Sequence, residues 1–176
     1  MIRDPGCVKR VSVWISSLPM YGGRSEPIRV SGPEPEEGDT LKKTMVLNRE
    51  LSAAIAGMGH TDLMLIADAA HPIPRGVERI DLALRPGMPG TVDVLETILS
   101  ELSIEGYYVA AEMEEASPGI WAACGRILAQ APRTIVPHAE FKAIVPTVRY
   151  AIRTGEYSAF ANLILVAGIA GVGAGT

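Results

Sequence analysis

The stretch GHTDLMLIADAAHPIP, residues 59–74, holds two of the chain's 3 histidines, His60 and His71, and two aspartates, Asp62 and Asp68, around one short apolar run. The remaining histidine, His138, stands in PHAEFK, and a third polar group, IRTGEYSAFANLIL, contributes Arg153, Thr154, Gly155, Glu156 and Asn162. Imidazoles exchange protons near neutral pH, and carboxylates and carboxamides hold hydroxyl and amide groups by hydrogen bonds. Such residues serve acid–base chemistry, ligand binding or metal coordination, and the spacing narrows the choice. No H-E-x-x-H or other close ligand pair occurs, so a metal is not expected.

Each residue has two readings from position alone. Asp68 directly follows the apolar run LMLIA, where parallel sheets place ligands; it either binds one there or caps a turn in the proline-set loop AAHPIP. His60 precedes the same run, after Gly59, and serves either chemistry or the C-terminal end of a helix, whose dipole favours a cation. Eight residues separate His60 from Asp68, and an extended chain at about 3.3 Å per residue spreads that over up to roughly 26 Å. One small ligand therefore touches both residues of one subunit only if the strand is short and kinked; otherwise the site is shared between subunits. His71 is either an exposed loop residue or part of a site, and His138 either caps the helix it opens or faces a ligand. The polar groups from Arg153 to Glu156, with Asn162, either line a pocket or surround a routine helix stop at Gly155.

The elements that must position these groups follow from periodicity. Asn48 is a good N-cap for a helix with Leu51, Ala54, Ile55 and Met58 at helical spacing, and Gly59 supplies its stop. LMLIA (63–67), RIDLAL (79–84), YYVAA (107–111), RTIVP (133–137) and LILVA (163–167) have the character of strands. Thr91 is expected to cap a helix with the stripe Leu95, Ile98, Leu99 and Leu102, and Ser117-Pro118 to open one running to about Gln130. Phe141, Ile144, Val145, Val148 and Ile152 predict helix up to Arg153, interrupted at Pro146. Strands alternating with helices predict an α/β fold: a three-layer α/β/α sandwich with a mostly parallel sheet.

Bulk properties exclude several classes. With 176 residues the chain suffices for one domain with its own core, and a net charge of -4 without a basic stripe argues against nucleic acid. No apolar run is long enough to span a bilayer, so hydrophobic content of 48% points to a core or a subunit interface. No G-x-G-x-x-G follows a strand, no Walker loop occurs, and GIAGVGAG near the C-terminus opens no helix, so no nucleotide or flavin is expected. Cys7 and Cys124 read as unpaired thiols of a reducing, cytoplasmic setting. Residues 1–40, with Pro5, Pro19, Pro27, Pro33, Pro35 and the acidic run EPEEGD, read as a flexible N-terminal extension to a domain over 41–176. VSVWISSLPM follows basic residues as a signal peptide would, but Ser12, Ser16, Ser17 and Pro19 interrupt it.

From about Leu41 to Ile169 the chain resembles the D-ribose pyranase family, whose relatives are the L-fucose mutarotases. The blocks that carry the resemblance are KKTMVLN, GHTDLMLIADAAHPIP, RIDLALRPGMP, HAEFK and IRTGEYSAFANLILVAG, in the family's order and spacing; PIP with RIDLAL favours the ribose branch. The resemblance implies that His60, the histidine of the GH-x-D block, is the proton donor and that Asp68 binds sugar. It implies that His138, before Phe141 and Lys142, and the block Phe160, Ala161 and Asn162 bind sugar as well. The family's Tyr-Ala-Asn becomes Phe160-Ala161-Asn162, which keeps the ring and loses its hydroxyl. Its usual DAG reads DAA, and a positive φ at Ala70 would carry strain. Leu41 falls where family members begin with Met, which marks the first forty residues as an addition.

The implied reaction interconverts the pyranose and furanose, or anomeric, forms of free D-ribose, without cofactor or metal. A proton reaches the ring oxygen while another leaves the anomeric hydroxyl, and the ring recloses differently. The resemblance also implies a homo-oligomer, built up to a decamer. The alternatives are an L-fucose-type mutarotase and a non-catalytic sugar-binding regulatory module.

Overall fold

The computed structural model describes residues 42–169; the expected extension over 1–40 lies outside them. Asn48 starts helix α1 (Arg49–Gly57) as its sequence promises, its side-chain oxygen accepting from the Leu51 N–H at 2.8 Å. Strands β1 (Leu63–Ala67) and β2 (Glu78–Asp81) follow, then α2 (Thr91–Leu99), β3 (Ile104–Ala110), a single turn α3 (Met113–Ala116) and α4 (Pro118–Ile127). Strand β4 (Arg133–Val136), α5 (His138–Ile144), a 3₁₀ turn over Val145–Thr147, β5 (Tyr150–Arg153) and β6 (Leu163–Ala167) complete the order.

The strands form one sheet in the order β2-β5-β1-β6-β3-β4. β6 alone is antiparallel to its neighbours β1 and β3; the other pairs are parallel. Alternation along β1 sends Met64 and Ile66 to one face and Leu65 and Ala67 to the other. The first pair packs with Leu51, Ile55, Val94, Leu95, Ile98 and Cys124 from α1, α2 and α4. The second packs with Phe141 of α5, Val145 and Val148. Helices thus cover both faces, giving the three layers, with β1 buried on both sides as its unbroken apolar run requires.

Five local expectations change. Tyr150–Arg153 does not continue a helix past Pro146; it is strand β5, pairing Ala151 with Leu65 and Arg79. Five apolar residues at helical spacing, interrupted by Pro146, are too few to distinguish one helix from a short helix, a turn and a buried strand, and pairing on both sides decides for the strand. β2 stops at Asp81 because its carboxylate accepts from the Ala83 N–H at 3.1 Å, turning the chain before LAL. Gly90, not Thr91, caps α2, with Asp93 accepting from the Gly90 N–H at 2.9 Å. Helix α4 ends at Ile127 rather than near Gln130, and Ser117 gives it no side-chain cap bond. α1 likewise ends at Gly57, with Met58 as the C-cap, ahead of the expected stop at Gly59.

Candidate active site

Pairing of β1 with β6 decides which polar groups meet. Ile66 lies opposite Leu163, so the residues just beyond, Asp68 after β1 and Asn162 before β6, share one end of the sheet. They exchange two hydrogen bonds: the Asp68 N–H donates to Asn162 Oδ1 and Asn162 Nδ2 donates to Asp68 Oδ2, both at 2.7 Å. Ala70 N–H donates to the other carboxylate oxygen at 2.9 Å. Asp68 is 8% exposed and Asn162 1%; a carboxylate so deep is tolerated because amide donors surround it. Asp68 therefore stabilises its turn, as one reading expects, and also stands at the strand end where the other would place a ligand.

The Thr91 and Ser117 hydroxyls, expected at helix caps, fasten the loop ahead of Asn162 instead. Thr91 Oγ1 donates to the Ala161 carbonyl at 3.0 Å and Ser117 Oγ to that of Ala159 at 2.6 Å. Between them Phe160 holds a left-handed φ of 58°, a conformation that costs roughly 1–2 kcal/mol outside glycine. Asn162 N–H donates to the Phe160 carbonyl at 2.8 Å. Ala70 carries no positive φ, so the exchange of glycine for alanine there is unstrained.

The Phe160 ring meets His138 edge to face, with centroids 4.8 Å apart. His138 does not cap α5 with its side chain. Its N–H donates to Glu112 Oε1 and Oε2 at 3.1 and 3.0 Å, which leaves the imidazole available. That ring lies nearly parallel to Phe141, centroids 6.3 Å apart. His71, unassigned by sequence, belongs to the same group: it is 8% exposed, with its ring 6.1 Å from His138 and 6.0 Å from Phe141. Burial pushes the pKa of both histidines below the ordinary value of 6.5; Lys142 adds to this at His138, while Asp68 opposes it at His71. His71 Nε2 and His138 Nδ1 are buried without a hydrogen-bond partner.

His60 lies at the other end of β1. Its Nε2 is 2.7 Å from Glu105 Oε2 of β3, with both side chains about half exposed. The pair borders a groove of about 440 Å³ formed with Ile104, Gln130, Ala131, Pro132 and Ile169. β1 is a regular strand in unshifted register on both sides, so no kink folds His60 back toward Asp68. Its 5 residues alone span about 16 Å. The structure thus brings together Asp68, His138, Phe160, Ala161 and Asn162, adds His71, and leaves His60 apart. His60 also serves no helix end, since its partner is Glu105.

A frame of loops fixes the Asp68 edge. Thr154 donates from both N–H and Oγ1 to the Ala67 carbonyl at 2.9 Å, and Arg153 Nε donates to the Ala69 carbonyl at 3.0 Å. Glu156 Oε1 accepts from Tyr157 N–H, Ser158 N–H and Ser158 Oγ. Burial would raise the pKa of that carboxyl, but these bonds, with one from Thr91 N–H, outweigh it and hold the pKa below the usual value. Gly155 is required by packing: a methyl group there would come within 2.5 Å of the Arg85 carbonyl oxygen. Tyr157, 70% exposed, stands outside the ring cluster. Among the described residues no three His, Cys, Asp or Glu side chains are grouped to hold a metal ion.

The chain has relatives among known proteins. Over 129 residues it is 49% identical to the D-ribose pyranase of Symbiobacterium thermophilum and 47% identical to that of Laribacter hongkongensis, covering 73% of this chain and 98% of each relative. Its fold superposes on Bacillus subtilis RbsD complexed with D-ribose with a TM-score of 0.71, at 36% identity over 73% of this chain and 98% of that one. Fucose mutarotase from Streptococcus pneumoniae, solved with L-fucose, shares the fold at a TM-score of 0.64 and 20% identity, over 73% of this chain and 99% of that one. Residues 41–170 match the family model described as RbsD / FucU transport protein family, and the chain belongs to that family.

Proposed function

We infer that the protein is a D-ribose pyranase, an isomerase that interconverts the pyranose and furanose forms of free D-ribose. The observation that carries this reading is the convergence of Asp68, Asn162, His138 and Phe160 at one sheet edge, in a chain 49% identical to a protein of that name. An acceptor carboxylate, a carboxamide, an imidazole and an aromatic face match a sugar's hydroxyls and its apolar ring face. The identities of 36% to ribose-bound RbsD and 20% to the fucose enzyme favour the ribose branch over an L-fucose-type mutarotase.

Ring opening needs a proton delivered to the ring oxygen and one removed from the anomeric hydroxyl; reclosure through another hydroxyl reverses both. We assign proton donation to His60, whose exposed imidazole, paired with Glu105, can lose and regain a proton. Asp68, His138 and the Phe160-Ala161-Asn162 block hold and orient the sugar. General acid–base help of about 10² to 10⁴-fold suffices for a reaction that already proceeds in water.

His60 and the sugar-binding edge lie at opposite ends of β1, so the proposed site is composite: His60 of one copy faces the Asp68 edge of another within a homo-oligomer, a decamer by family resemblance. Exposed Leu47, Leu84, Met88, Ile135 and Ile169 offer apolar surface for such contacts. Residues 41–176 are proposed as the catalytic domain, acting in the cytoplasm; among the described residues no helix is long and apolar enough to cross a membrane.

Saturation transfer between the NMR signals of ribose pyranose and furanose tests the reading. Wild-type protein accelerates the exchange, His60→Ala abolishes the acceleration, and Asp68→Ala mainly weakens binding. Phe160, lacking the family's hydroxyl, favours a second reading, a sugar-binding module; ribose bound without faster exchange would establish it.

A further inference from the structure

His71 is the buried polar group that the proposed mechanism leaves without a task. It stands three residues after Asp68, its N–H donating to the Asp68 carbonyl at 3.3 Å, and its ring packs edge-on to His138 and Phe141. Its Nε2 is shielded from solvent and has no hydrogen-bond partner. An unmet buried donor or acceptor destabilises the fold, so native proteins rarely keep one that an apolar side chain could replace. An aliphatic residue would fill the space beside Phe141 and His138 at no such cost. The orphan nitrogen sits in the ring cluster that contains His138 and Phe160, beside the Asp68 carboxylate.

We propose that His71 is a further sugar-binding residue, its Nε2 pairing with a ribose hydroxyl and adding the polar contact that Phe160 cannot make. The proposal rests on the ribose reading above. A neutral imidazole nitrogen suits this task, since it pairs with a hydroxyl as donor or acceptor according to tautomer.

Affinity for D-ribose, read by calorimetric titration of the full-length wild type, His71→Leu and His71→Gln, together with their melting temperatures, tests the proposal. Expected are ribose binding by the wild type, at least tenfold weaker binding by His71→Leu at an equal or higher melting temperature, and partial recovery in His71→Gln. Unchanged affinity in His71→Leu overturns the proposal and leaves the ribose reading intact. A lowered melting temperature in His71→Leu, with no recovery in His71→Gln, also overturns it, because packing then explains the loss. A wild type that does not bind ribose overturns both.

Discussion

Asp68 and Asn162, 94 residues apart in sequence, close a reciprocal pair of 2.7 Å hydrogen bonds across the ends of two antiparallel strands. The pair exists because the last strand runs against the others. An all-parallel sheet would have put Asn162 at the far edge, with His60. The single reversed strand therefore creates the candidate binding edge.

Replacing Asn162 tests that relationship. Asn162→Leu removes both Asn162 bonds from the buried Asp68, and the N–H and Oδ2 left without a partner should cost about 1–3 kcal/mol. The melting temperature should fall and ribose affinity should fall with it. An unchanged melting temperature would show that the pair contributes nothing to the fold.

Gly155→Ala probes the frame behind the site. The added methyl group meets the carbonyls of Arg85 and Met88, and overpacking of this kind costs about 1–3 kcal/mol. Chemical denaturation should show the loss, with sugar binding impaired as the 85–89 loop is pushed from the strand end.

Stability should depend on pH through the two buried histidines. Their folded pKa values lie below the ordinary 6.5, so as pH falls below about 6.5 the unfolded chain takes up protons that the folded chain refuses. The stability they contribute is present above 6.5 and is lost as pH falls through their folded values. Melting temperatures measured from pH 7.5 to 5 should decline, and His71→Leu should flatten the decline.

Cys124 should resist thiol reagents in the folded protein. It is buried in the core, and burial pushes its pKa to about 11, which leaves almost no thiolate at pH 8. Peptide mapping after iodoacetamide treatment should find Cys124 unmodified under native conditions and alkylated in denaturant. Modification at equal rates in both would show that the core opens readily.

Much of this architecture was legible in the sequence. The apolar run of β1 announced a strand buried on both faces, and its length implied a wide separation of His60 from Asp68 unless the strand kinked; its regular register removes the kink. β5 was not legible, because YAIR is too short to display a period and its apolar neighbours mimic a helical stripe across Pro146. His71 was opaque for a different reason: a histidine in a proline loop reads the same whether solvent or an aromatic cluster surrounds it, and only the packing of Phe141 and His138 decides. Thr91 and Ser117 occupy positions where helix caps are common, yet their hydroxyls reach across the fold to Ala161 and Ala159. Local sequence carries no trace of such long-range bonds.

The proposed site is assembled from His60 of one copy and the Asp68 edge of another. Co-expression of His60→Ala with Asp68→Ala chains, followed by the NMR exchange measurement on the mixed oligomer, tests it most directly. Each variant alone should exchange ribose forms poorly, and the mixed oligomer should recover part of the wild-type acceleration, because some interfaces then pair an intact His60 with an intact Asp68. A mixture no faster than the separate variants, each of which still assembles, would contradict the shared site.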